Sequence, residues 1–197
     1  MYEELTNVEH WRRDCAELAR LLPPGRVLDL GCGPGTSAVE IARVADATRL
    51  VGLDLSAAML PRARRRASAN GVELQLVRGD VQALPFGPAT FEGAAGHSFL
   101  YLLDDPEAAL AEIRRVVRPG GRVAFLEPRA GAPHLREALS AGTRFGATMC
   151  LWRLMSSLHR RWDERGAAAL LEGAGFARAR AWPVLAGWGV MMTAERP

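Results

Sequence analysis

Val27-Leu28-Asp29-Leu30-Gly31-Cys32-Gly33-Pro34-Gly35 is the stretch that decides the fold. A short apolar run, Val27 to Leu30, leads directly into three glycines, and Thr36 to Val44 then reads as a helix. A strand that ends in glycines turns sharply and lets its backbone approach a ligand with no Cβ in the way. The helix behind it presents N–H groups that lack intrahelical partners. A dinucleotide-type G-x-G-x-x-G beginning at Gly31 requires glycine at position 36, where Thr36 stands. Asp29, just before the first glycine, is placed to accept hydrogen bonds from the loop amides or to reach a cationic ligand through water.

Outward from this turn, strand and helix patterns alternate. Upstream, Trp11, Cys15, Leu18 and Leu22 fall at helical spacing between Val8 and Leu22, and Pro23-Pro24-Gly25 stops that helix. Downstream, Arg49 to Asp54 is a second strand, with Ser56 as the N-cap of a helix to about Asn70. Leu74 to Val77 makes a third strand ending near Gly79-Asp80, and Phe91 to Ser98 a fourth. Pro106 opens a helix through Val117 that Pro119-Gly120-Gly121 terminates, and Arg122 to Glu127 is the fifth strand. An irregular stretch to Trp162, a helix over Glu164 to Leu171, and two closing strands, Phe176 to Pro183 and Trp188 to Ala194, complete the chain. This alternation requires a parallel sheet with helices on both faces.

Composition fits one domain of 197 residues, 49% hydrophobic and 24% charged, which excludes a disordered chain. No stretch approaches the ~20 apolar residues of a membrane span. The acidic start Met1-Tyr2-Glu3-Glu4 is unlike a signal peptide. Three scattered cysteines, Cys15, Cys32 and Cys150, predict neither a metal site nor disulfides. A cytoplasmic protein is expected. All 25 basic residues are arginine, and their distribution is uneven. From Arg129 onward ten arginines face five acids, whereas residues 1–128 carry fifteen against seventeen.

Five separated motifs make the chain resemble the class I S-adenosylmethionine-dependent methyltransferases. They are Asp29-Leu-Gly31-Cys-Gly33-Pro-Gly35, Asp54 in Gly-Leu-Asp-Leu-Ser, Asp80 in Arg-Gly-Asp-Val, Pro85-Phe86, and Arg118-Pro-Gly-Gly-Arg122. The resemblance implies a Rossmann-like α/β fold, a seven-stranded, mostly parallel sheet in a three-layer sandwich. It also implies S-adenosyl-L-methionine as cofactor, released as S-adenosyl-L-homocysteine. The backbone of Gly31, Cys32, Gly33 and Gly35 would cradle its methionine part, and Asp54 would accept bonds from both ribose hydroxyls. Leu55 and Met59 would pack on the adenine, Asp80, after Gly79, would accept its amino group, and Val81 would supply a backbone N–H. Each has a plainer reading: Asp54 as a helix cap, Asp80 as a turn residue, Met59 as core, Cys32 as a small side chain that fits its loop.

Methyl transfer from a sulfonium is an in-line displacement that needs alignment and desolvation, with a base only where the acceptor must lose a proton. In the family the end of the fourth strand faces the methyl group. Here that place is Gly96-His97-Ser98, followed by Tyr101. His97 and Tyr101 are the candidate catalytic residues, against the alternatives of a pocket-lining histidine and a gap-filling tyrosine. The fourth strand has Glu92 where Asp is usual, and small residues follow it, consistent with close helix packing or with a wider pocket. The Asn/Asp-Pro-Pro-Tyr signature of nucleic-acid and glutamine N-methylation is absent, and no Asp cluster of metal-dependent catechol enzymes is recognisable. No metal is expected, and nucleic acid is a disfavoured partner.

Acceptor specificity is expected from the N-terminal helix (1–25) and from an insertion over 129–162. There Phe145, Met149, Leu151, Trp152, Leu154, Met155, Leu158 and Trp162 read as one broad helical face flanked by Arg144, Arg153, Arg160 and Arg161. The plain reading is a lid over the pocket. The sharper one is a basic amphipathic surface, over 144–162, for a membrane or a lipid-like acceptor. His10, Trp11, His134 and His159 are secondary pocket candidates. The expected reaction is methyl transfer to a small apolar or amphipathic molecule, with a phospholipid or quinone-type acceptor as an alternative. A non-catalytic cofactor-binding regulator is the rival from another class.

Overall fold

A computed structural model describes residues 9–44, 47–131 and 143–197. Along it run α1 (Glu9–Arg20), β1 (Gly25–Leu30), α2 (Thr36–Val44), β2 (Ala47–Asp54), α3 (Leu60–Ala69), β3 (Leu74–Arg78), β4 (Phe91–His97), α4 (Pro106–Val116), β5 (Val117–Pro128), α5 (Thr143–Ser156), α6 (Glu164–Gly173), β6 (Ala177–Val184) and β7 (Gly189–Glu195). The strands form one sheet in the order β3-β2-β1-β4-β5-β7-β6. All neighbours are parallel except β7, which runs antiparallel to both β5 and β6.

Alternate residues of each strand point to opposite faces. One face carries Leu28, Leu30, Val51, Leu53, Ala94, Val123 and Phe125 under α4 and α6. The other carries Val27, Leu50, Ala95, Ala124, Leu126 and Met191 under α1, α2 and α5. Both faces are therefore covered, giving the three expected layers. Complete burial of Leu28, Leu30 and Phe125 contributes about 1.5–3 kcal/mol for each side chain.

The small residues of β4 answer the question its sequence left open. A Cβ on Gly93 would stand 3.0 Å from Pro23 Cδ, and one on Gly96 only 2.1 Å from Phe99 Cε1. Close packing, by the α1–β1 turn and by Phe99, is what the small side chains permit. Glu92 works at the opposite end of the strand, accepting the Arg26 N–H at 2.6 Å and pairing with Arg118 at 3.3 Å.

Three local expectations need correction. Ser56 does not cap α3: the helix starts at Leu60 after a turn, and no side chain caps it. Ser56 is held instead by Asp54, which accepts its N–H at 2.8 Å. The Pro119-Gly120-Gly121 turn lies inside β5, which starts at Val117, because Gly120 and Gly121 exchange backbone hydrogen bonds with Arg196. The stretch read as irregular up to Trp162 contains the fourteen-residue α5.

Candidate active site

Register brings the strand ends to one level. Leu30 pairs with Leu53 on one side and Gly96 on the other, and Gly96 pairs with Phe125. The next row along the sheet is therefore Gly31, Asp54, His97 and Leu126, with Glu127 one residue beyond. Chain order reverses between β1 and β4, so the connections leave in opposite directions and open a crevice at the carboxyl ends of the strands. A cavity of about 600 Å³ occupies it.

The glycine turn forms one wall. Gly31 has φ +60°, and a Cβ there would meet Phe99 Cβ at 2.7 Å, so neither the conformation nor the space admits a side chain. Gly33 also has positive φ and lines the cavity. Its N–H donates to Asp54 Oδ2 at 2.7 Å. Asp54 thus ties the loop to the end of β2 while facing the cavity, and each of its oxygens retains acceptor capacity. Cys32 lines the same wall, and its Sγ fills the space above Gly52. Burial pushes its thiol pKa upward, with Asp29 adding to the shift, which leaves an inert thiol.

Gly79, Asp80 and Val81 form the neighbouring wall, with Leu55 and Met59 toward the outside. Asp80 Oδ1 accepts the Gln82 N–H at 2.9 Å, closing a tight turn. The Pro85-Phe86 segment behind it is clamped by Arg115, which donates to the carbonyls of Leu84 and Phe86 and to Glu112. Three of the five motifs, the glycine turn, Asp54 and Asp80, thus meet in a single pocket, whereas Pro85-Phe86 and the Arg118–Arg122 turn lie outside its lining.

Asp29 and Gly35 are not cavity residues. Asp29 is fully buried on the α2 side of β1, where Oδ2 accepts the Ser37 hydroxyl at 2.9 Å and Oδ1 has no partner among the described residues. Burial lifts its pKa to about 7 against the pull of that hydrogen bond. Ser37, which the sequence reading passed over, is the residue between Asp29 and the cavity. Gly35 permits helix contact instead: a Cβ there would lie 3.0 Å from Ala63 Cα of α3.

The β4 side is different in kind. His97, Ser98, Phe99 and Tyr101 line the cavity. Ser98 Oγ and His97 Nδ1 share a hydrogen bond of 2.8 Å, and the imidazole lies 6.4 Å from the Trp152 ring of α5, tilted by 35°. Burial lowers the His97 pKa to about 3, so the ring is neutral at physiological pH. Tyr101 is buried, edge-on to His159 at 5.6 Å. His134 lies outside the described residues, as do the side chains of His10 and Trp11.

Glu127 organises this wall and was missed in the sequence. Completely buried, it accepts the backbone N–H groups of Phe99 (3.1 Å), Leu100 (3.0 Å) and Tyr101 (3.3 Å). It caps the short 3₁₀ turn Leu100–Leu102 much as an acid caps a helix start. Burial raises its pKa to about 8, with those three bonds opposing. The available signal was an acid at the end of the apolar run Val123-Ala124-Phe125-Leu126, because an acid so placed must find partners.

The residues of α5 do not share one face. Phe145, Met149 and Trp152 are buried, whereas Leu154 and Met155 are exposed, and Met155 reaches the cavity edge. Among the described residues no group of three or more His, Cys, Asp or Glu is placed to hold a metal ion.

The donor set suits S-adenosylmethionine. Asp54 and Asp80, the apolar Leu55 and Met59 and the backbone of the glycine turn line one cavity, a set able to take a diol, an amino group and an aromatic ring. A family model described as a methyltransferase domain matches residues 27–121. A demethylmenaquinone methyltransferase of Thermus thermophilus is 38% identical over 59% of this chain and 53% of its own length. The chain thus spans about half of that relative. A 2-phytyl-1,4-naphtoquinone methyltransferase of Thermosynechococcus vestitus is 31% identical over 94% of this chain and 87% of its own. A methyltransferase structure from Aquifex aeolicus covers 100% of this chain and 97% of its own at TM-score 0.72 and 16% identity, a likeness of fold. With the glycine turn, Asp54 and Asp80 gathered in one pocket and a relative matched over 87% of its length, the chain belongs to the class I S-adenosylmethionine-dependent methyltransferases.

Proposed function

We propose that the protein transfers a methyl group from S-adenosylmethionine to a small, apolar, quinone-type acceptor. The observation that carries this reading is one cavity with two unlike walls, polar at the glycine turn and Asp54, and aromatic around His97, Phe99 and Tyr101. Relatives that act on demethylmenaquinone and on a phytyl naphthoquinone support the acceptor class.

On this reading Asp54 accepts from the ribose hydroxyls with the lone pairs that Gly33 and Ser56 leave unused. Asp80 and the Val81 backbone face the adenine, with Leu55 and Met59 on its ring. Bound there, the cofactor would supply an electrophilic methyl on a sulfonium, so the acceptor must be electron-rich, a hydroquinone that has given one proton to solvent and enters as its phenolate. A neutral His97 holds that acceptor as a hydrogen-bonding partner, its ring fixed by Ser98 and by Trp152. Phe99 and Tyr101 orient the ring and exclude water, and alignment supplies most of the acceleration. Asp29 acts behind the site, steadying the start of α2 through Ser37.

The test is incubation of the full chain with isotopically labelled S-adenosylmethionine and a reduced, short-tailed 1,4-naphthoquinone, followed by mass spectrometry. Labelled methylated product is expected. Tight cofactor binding with no transfer to any reduced quinone would return the protein to the non-catalytic reading.

A further inference from the structure

Five large apolar side chains are exposed among the described residues: Leu55 (65%), Leu102 (53%), Leu154 (70%), Met155 (49%) and Leu158 (92%). They are not scattered. Leu55, Leu102 and Met155 line the cavity, Leu154 precedes Met155 in the last turn of α5, and Leu158 precedes His159, whose ring packs on the cavity-lining Tyr101 at 5.6 Å. Isolated exposed leucines are ordinary, but a cluster around one opening marks a contact surface.

The charge around the patch selects its partner. From Thr143 to Trp162 the chain carries four arginines and no Asp or Glu. Arg153 donates to the carbonyls of Arg129 and Gly131, so no carboxylate neutralises it there. Arg160 only reaches the exposed Glu107 at 3.5 Å. Across the opening, Arg62 adds a further exposed cation to the cavity wall. Asp104 and Asp105 lie on the neighbouring turn, and Asp105 is occupied in capping α4 through the Ala108 N–H. No helix among the described residues is long and apolar enough to cross a membrane. Exposed leucines beside arginines, without a span, are the composition of an interfacial contact.

We propose that the cavity mouth docks on an anionic bilayer surface, with Leu154, Met155 and Leu158 inserted at the headgroup boundary and the arginines of 153–161 on lipid phosphates. An apolar acceptor would then pass from the bilayer into the cavity without crossing water. That route rests on the quinone-type reading above; the docking itself does not.

The experiment is co-sedimentation of the full chain with vesicles of phosphatidylcholine alone or mixed with phosphatidylglycerol. Binding to the anionic vesicles at low salt is expected, weaker by about tenfold on neutral vesicles or at high salt. The double variant Leu154→Ser, Leu158→Ser should lower binding by about tenfold or more, and Arg161→Glu by about fivefold. Both should keep their thermal melting and cofactor affinity, because none of these side chains lines the cavity. Folded protein that ignores anionic vesicles, or a leucine double variant that binds like wild type, would overturn the proposal. So would a dimer that the leucine variant abolishes in the absence of vesicle binding, which would assign the patch to a second copy. Sedimentation needs no acceptor, so failed methyl transfer leaves this result standing. Conversely, failed docking with turnover of a short-tailed acceptor leaves the function standing.

Discussion

The two walls of the cavity are built by opposite means. The glycine-turn wall is mostly backbone, fixed by an acid that also lines the cavity: Asp54 holds Gly33 and Ser56 and still faces the cavity. The β4 wall is mostly side chain, fixed by a buried carboxyl group outside the cavity lining: Glu127 holds Phe99, Leu100 and Tyr101 from behind. One arrangement suits a hydroxyl-rich ligand that must be recognised by hydrogen bonds. The other suits a dry aromatic acceptor whose position matters more than its polarity. If this contrast is sound, damage to one wall should leave the other working.

The largest effect is expected from Asp54→Ala. It removes the partner of two loop N–H groups together with the proposed ribose contact, and each hydrogen bond to a charged group is worth about 1.5–3 kcal/mol. Cofactor affinity measured by calorimetry should fall by at least about 100-fold. Near-normal affinity would refute the ribose assignment.

A smaller, opposite effect is expected from Glu127→Gln. The amide keeps one accepting oxygen and turns an NH₂ group toward a backbone donor, a mismatch costing about 1–3 kcal/mol. The KM for the acceptor should rise by about tenfold, while cofactor affinity stays within about twofold. Glu127→Ala should show the same split more strongly. Equal loss on both sides would reduce Glu127 to a general structural role and erase the contrast between the walls.

The sequence made the first wall legible because its causes are local. Gly31 and Gly33 announce positive φ, Asp54 ends β2 and Asp80 follows the end of β3, so each residue carries its reason within a few positions. The alternation of strands and helices was readable on the same grounds. Glu127 acts on residues 26 to 28 positions away. Trp152 reaches His97 across the intervening chain, so no local pattern announces either. Helix α5 was legible as a helical stretch, but the division of its apolar residues was not. Its apolar residues surround it, with Phe145, Met149 and Trp152 facing the sheet and Leu154 and Met155 facing out. A helix with two apolar faces shows no clear period. For Asp29 the motif was legible but the placement was not: it is buried against Ser37 rather than lining the pocket.

The smallest effect tests whether the β4 wall is truly dry. Burial holds His97 at about 3, against an ordinary 6.5. Between those values the unfolded chain binds a proton that the native ring refuses, so native stability falls as pH drops below 6.5. Asp29 and Glu127 act in the other direction. With pKa values raised to about 7 and about 8, they favour the native state at low pH and withdraw that stability as pH rises toward those values. Both carboxyls remain in His97→Gln, so comparison of wild type with that variant cancels them. Acidification from about pH 7.5 to about pH 5 should cost the wild type roughly 1 kcal/mol that the variant does not lose, allowing for screening by water in the cavity. Turnover provides the second arm. Glutamine keeps a neutral hydrogen-bonding group, so a modest loss is expected, about threefold, with cofactor affinity retained. A histidine that is neutral throughout contributes no limb to the profile of kcat/KM above about pH 5. An acidic limb near the ordinary histidine value, abolished by His97→Gln, would mean that water reaches the imidazole and that it serves as a base.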